Sequence, residues 1–159
     1  MKWWLAACFL LVTTVMPVRA DTVHYYNDDI CIAAQISGKN GENPIDLSLE
    51  IAVTPEKTRQ GLMYRDYLPS LGGMIFIFTP PQETAMWMKN TFIPLDMLFV
   101  DKDRRVIKAH QGAKPHDLTP IWSGGAAHYV IELPAGSIER HGFKKGDILH
   151  LPETLFDGL

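Results

Sequence analysis

Two opposite charges, Lys89 and Asp96, bracket the segment Asn90-Thr91-Phe92-Ile93-Pro94-Leu95 inside a largely apolar run, Met86 to Asp96. Charges in such a setting must be paired or must do work, because burying either alone is costly. The spacing predicts a hairpin, with Thr84–Lys89 and Leu95–Val100 as paired strands around an Asn90–Pro94 loop and Lys89 facing Asp96. Strand alternation places Asp96 on the face of Leu98 and Val100. Arg65 is a second cation within reach and Glu56 a second acid. The plainer reading is an ion pair that pins the hairpin register. The alternative is a pocket walled by Trp87 and lined by Glu56, Arg65, Lys89, Asn90, Thr91 and Asp96, suited to a small polar or anionic ligand. A hydrolase-like reading would make Asp96 or Glu56 the base and let Lys89 stabilise negative charge. No nucleophile and base stand at a diagnostic spacing, so no catalytic residue is assigned.

Other chemistry is thinner. Met86 and Met88 share a strand face beside Trp87, with Met63, Met74 and Met97 not far in sequence. Thioethers suit a soft ion such as Cu(I), but methionine is also a common gap-filler in cores. His110, His116, Asp117 and His128 frame a long connection and are zinc-type ligands without a zinc-type spacing. Trp122-Ser123-Gly124-Gly125 is not a Gly-x-Ser-x-Gly nucleophile elbow, since Ile121 stands where the first glycine would be, and reads as a flexible glycine turn. No metal and no cofactor is assigned.

The elements that must position these residues are mostly strands. Thr22–Tyr26 and Ile30–Ile36 come first, followed by a loop over Ser37–Pro44. Ile45–Val53 alternates, with Ile45, Leu47, Leu49, Ile51 and Val53 on one face and Asp46, Ser48 and Glu50 on the other. Thr54-Pro55-Glu56 starts a helix, with a capping threonine, an early proline and a first-turn acid, running to about Met63. Met74–Phe78 is apolar on both faces, as in a central strand, and Thr79-Pro80-Pro81 ends it. Asp101–Arg104 is a turn, and Arg105–His110 returns. Gln111–Ala126 reads as one long irregular loop able to gate a site. Ala127–Leu133 is a strand, Pro134–His141 a short helix stopped by Gly142, and Ile148–Leu151 a last strand. The expected fold is mainly β: a single-domain sandwich or partly open barrel with one or two short helices.

Residues 1–20 read as a cleaved export signal, with Lys2 as the positive region, Trp3–Val15 as the apolar region and cleavage after Ala20. Leu5-Ala6-Ala7-Cys8 resembles a lipobox, but its cysteine precedes an adequate apolar stretch, which argues against a lipid anchor. The domain then spans residues 21–159, with no stable membrane span after cleavage and a periplasmic or secreted location. The full chain carries a net charge of −3. Without Lys2 and Arg19 the remainder is more acidic, and with no basic run it is a poor nucleic-acid binder. Cys31 would be the one remaining cysteine, flanked by Ile30 and Ile32 as a small buried hydrophobe.

Three blocks carry a resemblance to the domain-of-unknown-function 192 family. They are Thr54-Pro55-Glu56 with Gly61-Leu62-Met63-Tyr64-Arg65, then Gly73-Met74-Ile75-Phe76-Ile77-Phe78, then Trp87 to Asp96. Ala113-Lys114-Pro115, Tyr129 to Gly136 and Gly146-Asp147 extend it over roughly residues 45–151. The resemblance implies a compact, mainly β domain, often exported, with no established activity. Its shared polar positions fall here on Glu56, Arg65, Lys89, Asn90, Thr91 and Asp96. Two positions depart from the pattern: Arg104, where the family often carries glycine, and Met86, where relatives often have another apolar or aromatic residue. Residues 21–43 lie outside the match. Together these readings point to an exported, non-catalytic ligand-binding or accessory module. A hydrolase and a soft-metal or zinc handler are the alternatives.

Overall fold

A computed structural model describes residues 23–26, 29–152 and 155; the expected signal, Cys8 included, lies outside them. In chain order the elements are β1 (Val23–Tyr26), β2 (Asp29–Ser37), β3 (Ile45–Ala52), α1 (Pro55–Gln60), β4 (Gly72–Met86), β5 (Leu95–Val100), β6 (Val106–Ala113), β7 (Ile121–Pro134), α2 (Ser137–His141) and β8 (Ile148–His150). They form one sheet in the order β1-β2-β3-β4-β7-β5-β6, with β8 paired to β2. The sheet curls into a half-barrel, the partly open barrel of the two expected arrangements. β3 and β4 pair in parallel, and the other ladders are antiparallel. β8 also bridges Ile148 to Arg105 at the start of β6, so it links the two ends of the curl.

Alternation along the strands divides the apolar residues into two cores. The concave face holds Ile32, Ile36, Leu47, Leu49, Ile75, Leu98, Val100, Ile131, Leu133 and Leu149, plugged by Ile138 and Phe143 from around α2. The opposite face holds Met74, Phe76, Met88, Leu95, Met97, Phe99 and Val130, covered by Leu62 and Leu68 from the segment after α1. The methionine sulfurs are therefore largely core: Met74, Met88 and Met97 are buried, as is Cys31.

Local signals resolve as expected. Thr54 caps α1, its hydroxyl accepting from the Lys57 amide at 3.2 Å. The helix stops at Gln60 rather than Met63, because Gly61 takes a left-handed φ of 51° and closes back onto the Lys57 carbonyl. α2 ends at Gly142, as read, but begins at Ser137 rather than Pro134, which is the last residue of β7.

Three expectations need correction. The Thr84–Lys89/Leu95–Val100 hairpin does not form. β7 lies between β4 and β5 and pairs with both, and β4 ends at Met86. An apolar β7 fits between two apolar strands as well as a hairpin would, so the pattern alone could not choose. The Pro80-Pro81 pair does not end β4. Prolines cannot donate to a ladder, so pairing lapses between Ile77 and Gln82 and then resumes. The long loop also shrinks to residues 114–120, since β6 continues to Ala113 and β7 starts at Ile121. Trp122-Ser123-Gly124-Gly125 is thus not a turn but an irregularity inside β7, where the register shifts between Glu83 and Ala85. Buried Ser123 closes it, accepting from the Thr84 amide at 3.1 Å and donating to the Gly125 carbonyl at 2.7 Å.

Candidate functional site

Asp96 has no cationic partner among the described residues. It is 1% exposed, on the concave face, and its two oxygens accept from two backbone amides. Oδ1 takes the Gly112 amide and Oδ2 the Ile138 amide, each at 2.8 Å. Both amides need such an acceptor. Gly112 sits with φ of 64° where the β5–β6 register shifts, a bulge that removes its N–H from the ladder. Ile138 lies in the first turn of α2, whose N-cap is Gly136 and supplies no side chain. One carboxylate from β5 therefore holds the β6 bulge and the start of α2 together.

Lys89 lies instead on the exposed crossing from β4 to β5, with its ammonium 5.4 Å from the ring centroid of half-exposed Trp87. Around it three separate segments converge. The Tyr64 amide donates to the Asn90 carbonyl at 2.9 Å, and the Asn90 side-chain amide donates to the Tyr64 hydroxyl at 2.8 Å. The His116 amide donates to the Thr91 carbonyl at 3.3 Å, and the Met88 amide to the Asp117 carbonyl at 2.9 Å. Buried Thr91 turns its hydroxyl to the Lys89 carbonyl. Phe92 stands between two rings, 5.9 Å from Tyr64 edge-on and 5.5 Å from His116. Tyr64, Trp87 and Phe92 all remain exposed, so the junction presents an aromatic platform with an amide and an ammonium at its side.

The backbone beneath the platform is strained. Tyr64, Asn90 and His116 have φ of 64°, 53° and 61°, three of the five left-handed non-glycine residues among those described. Asparagine and histidine adopt this region more readily than most residues, but tyrosine pays for it, on the order of 1 kcal/mol. Strain concentrated where three segments meet is expected of a surface built to hold a shape rather than to minimise energy.

Arg65 is close by in sequence but engaged. Its guanidinium forks onto Glu50, Nη1 to Oε1 at 2.9 Å and Nη2 to Oε2 at 2.5 Å. Glu50 is buried in β3 on the face opposite Leu47 and Leu49. Two strands away on that same face stands Glu132, in register between Met74 of β4 and Met97 of β5. Glu132 is 4% exposed and its carboxyl has no hydrogen-bond or ion-pair partner among the described residues. Burial alone pushes its pKa up to about 8, so it is held mostly protonated at neutral pH. β4 approaches here as only glycine allows: a Cβ on Gly73 would stand 2.1 Å from the Glu132 carbonyl oxygen.

Of the seven expected pocket residues, Trp87, Lys89, Asn90 and Thr91 come together on the platform's segment. Arg65 follows Tyr64 but is turned to Glu50, Glu56 is exposed on α1, and Asp96 lies across the sheet. Sequence reasoning missed Tyr64, Phe92 and His116 as one group, because their contacts join distant segments. It also missed Glu132, whose only signal was an acid between Ile131 and Leu133 in an otherwise apolar strand. A cleft of about 440 Å³ adjoins the platform behind Met88, between β6 and the 114–122 segment. Among the described residues no three His, Cys, Asp or Glu side chains cluster as metal ligands, so His110, His116, Asp117 and His128 do not form the zinc-type set considered above.

Among solved structures, the chain is similar to a protein of unknown function from Novosphingobium aromaticivorans DSM 12444. That likeness has 36% identity and a TM-score of 0.75, covering 81% of this chain and 91% of the other. It is also similar to a Sinorhizobium meliloti 1021 protein proposed as a transcription regulator, with 40% identity and a TM-score of 0.72 over 74% and 91% of the two chains. No curated protein matches. The profile of DUF192, described as an uncharacterised ACR family, matches residues 36–151, which include the three strands that carry Glu50, Asp96 and Glu132 and every segment of the platform. The chain therefore belongs to the DUF192 family.

Proposed function

We propose that the protein is an exported, non-catalytic binding module whose platform of Tyr64, Trp87, Lys89, Asn90, Phe92 and His116 receives a small polar ligand, best a polyhydroxy one such as a saccharide. The observation that carries this reading is the convergence of three left-handed, non-glycine residues beneath exposed aromatic rings. Aromatic faces give a sugar ring an apolar surface, while the Asn90 amide and the Lys89 ammonium offer directional donors to hydroxyl or anionic groups. The hydrolase alternative draws less support. It needs Lys89 with Asp96 or Glu56 on one substrate, whereas both Asp96 oxygens are occupied by amides on the other face of the sheet and Glu56 stands exposed on α1. Soft-metal handling by Met86 and Met88 would require opening a core in which Met88 is fully buried and Met86 partly so. A regulator that binds DNA is disfavoured by the net charge of −3.

Titration calorimetry with a panel of neutral and acidic mono- and disaccharides tests the binding reading. At least one ligand should bind wild type, and Phe92→Ala or Trp87→Ala should weaken it about tenfold or more without lowering the melting temperature appreciably. Saturable turnover of a saccharide or ester that disappears in Lys89→Ala would replace this reading with the enzymatic one. Export has its own test, the mature N-terminus in the periplasmic or culture fraction, expected at Asp21.

A further inference from the structure

We propose that the cleft behind the platform is a second, separate site, for an organic monoanion: a carboxylate carried on a small apolar body. The cleft encloses about 440 Å³, within the roughly 300–1,000 Å³ of small-molecule sites. Its walls combine Met88, Ala113, Ile121 and Trp122 with the polar ends of Lys108 and His110.

The charge balance selects an anion. Lys108 donates to the Trp122 carbonyl, and its ammonium stands 5.6 Å from the Phe99 ring centroid. Those partners are a neutral oxygen and a ring face; no carboxylate pairs with Lys108 among the described residues. The remaining protons of the ammonium are available for a charged acceptor. The other charges nearby cancel or are spent. Lys114 sits beside Asp117, which helps hold that carboxyl below its usual range, after the Thr119 hydrogen bonds. His110 is kept towards its neutral form by burial and by Lys108. Asp96, the acid behind it, has both oxygens on amides. What remains is one uncompensated positive charge in a partly apolar cleft, on a chain whose net charge is negative. A single charge with apolar walls fits a monoanion with a hydrophobic body better than a multiply charged phosphate. Trp122 is the wall on which a planar body would lie.

The probe is benzoate, with benzyl alcohol as its uncharged counterpart, followed by calorimetry and by amide shifts of the cleft residues. Benzoate should bind saturably below about 10 mM and benzyl alcohol about tenfold more weakly or not at all. Lys108→Met should lose about tenfold or more in benzoate affinity, whereas Phe92→Ala on the platform should leave it unchanged. If Lys108→Met disturbs folding through its lost bond to the Trp122 carbonyl, Trp122→Ala keeps that carbonyl and should still weaken benzoate severalfold. Absence of saturable benzoate binding, equal binding of the alcohol, or unchanged affinity in both cleft variants would each overturn the proposal. Because the platform is probed with saccharides and the cleft with benzoate, either site can fail without the other.

Discussion

Two buried carboxylates stand on neighbouring strands of one sheet and have opposite fates. Asp96 on β5 faces the concave core, and Glu132 on β7 faces the other; Asp96 registers with Leu133, and Glu132 with Met97. Asp96 meets two amides that have no other acceptor, so its charge is useful where it lies. Glu132 meets thioethers and aliphatic carbon, and its proton is retained instead. Burial does not by itself make an acid functional or structural. What decides is whether the backbone nearby has unsatisfied donors, as at a bulge and a helix start, or none, as at the centre of a fully paired ladder.

The strongest break of this contrast is Asp96→Ala. It strands the Gly112 and Ile138 amides, and with each charge-assisted bond worth about 1.5–3 kcal/mol the loss should total roughly 3–6 kcal/mol, read from the denaturant midpoint. Next comes the pH dependence set by Glu132. Its folded pKa is raised from 4.5 to about 8, so the folded state holds a proton that the unfolded chain releases. Stability from this group is full below the unfolded pKa and declines as pH rises towards about 8, by up to about 1.4 kcal/mol per unit. Glu132→Gln should flatten that slope and be more stable than wild type at pH 8; an unchanged slope would show that Glu132 is ionised after all. Arg65→Ala tests a third acid, Glu50, whose partner is a side chain rather than the backbone. Leaving Glu50 buried without its fork should cost about 2 kcal/mol, less than a sealed pair because Arg65 is partly exposed. The smallest effect belongs to Arg104→Gly. Arg104 holds a left-handed φ of 63° in the β5–β6 turn and its side chain hydrogen-bonds Tyr129, so glycine relieves the backbone but frees the unfolded chain and gives up that bond, for a net loss of about 1 kcal/mol in thermal melts.

The legible parts of this chain were those governed by neighbours in sequence. The Thr54 cap, the alternation of Ile45–Leu49, the Asp101–Arg104 turn and the Gly142 stop all follow from local chemistry, but beyond Leu49 the pattern breaks: Glu50 and Ala52 are buried on the second face and Val53 stands exposed past the end of β3. The face of Asp96 was legible too, since alternation fixes it once β5 is a strand. Its partners were not, because they come from a bulge in β6 and a helix beyond β7. The insertion of β7 between β4 and β5 was hidden for the same reason: a strand apolar on both faces fits several neighbours equally well. Asn90 carried a hint of left-handed backbone, but its bonding to Tyr64 joins segments far apart in the chain.

The contrast between a clasp on one face and a platform on the other is tested most directly by an amide-shift titration of the isotope-labelled protein with the tightest saccharide from the panel. The amides of Tyr64, Trp87, Lys89, Asn90, Phe92 and His116 should move together and saturate, while that of Ile138, held by Asp96, stays fixed. Saturable shifts centred on Ile138 and its α2 neighbours, or no saturable shift at the platform with any saccharide, would contradict the assignment of the ligand site to the platform and of Asp96 to structure.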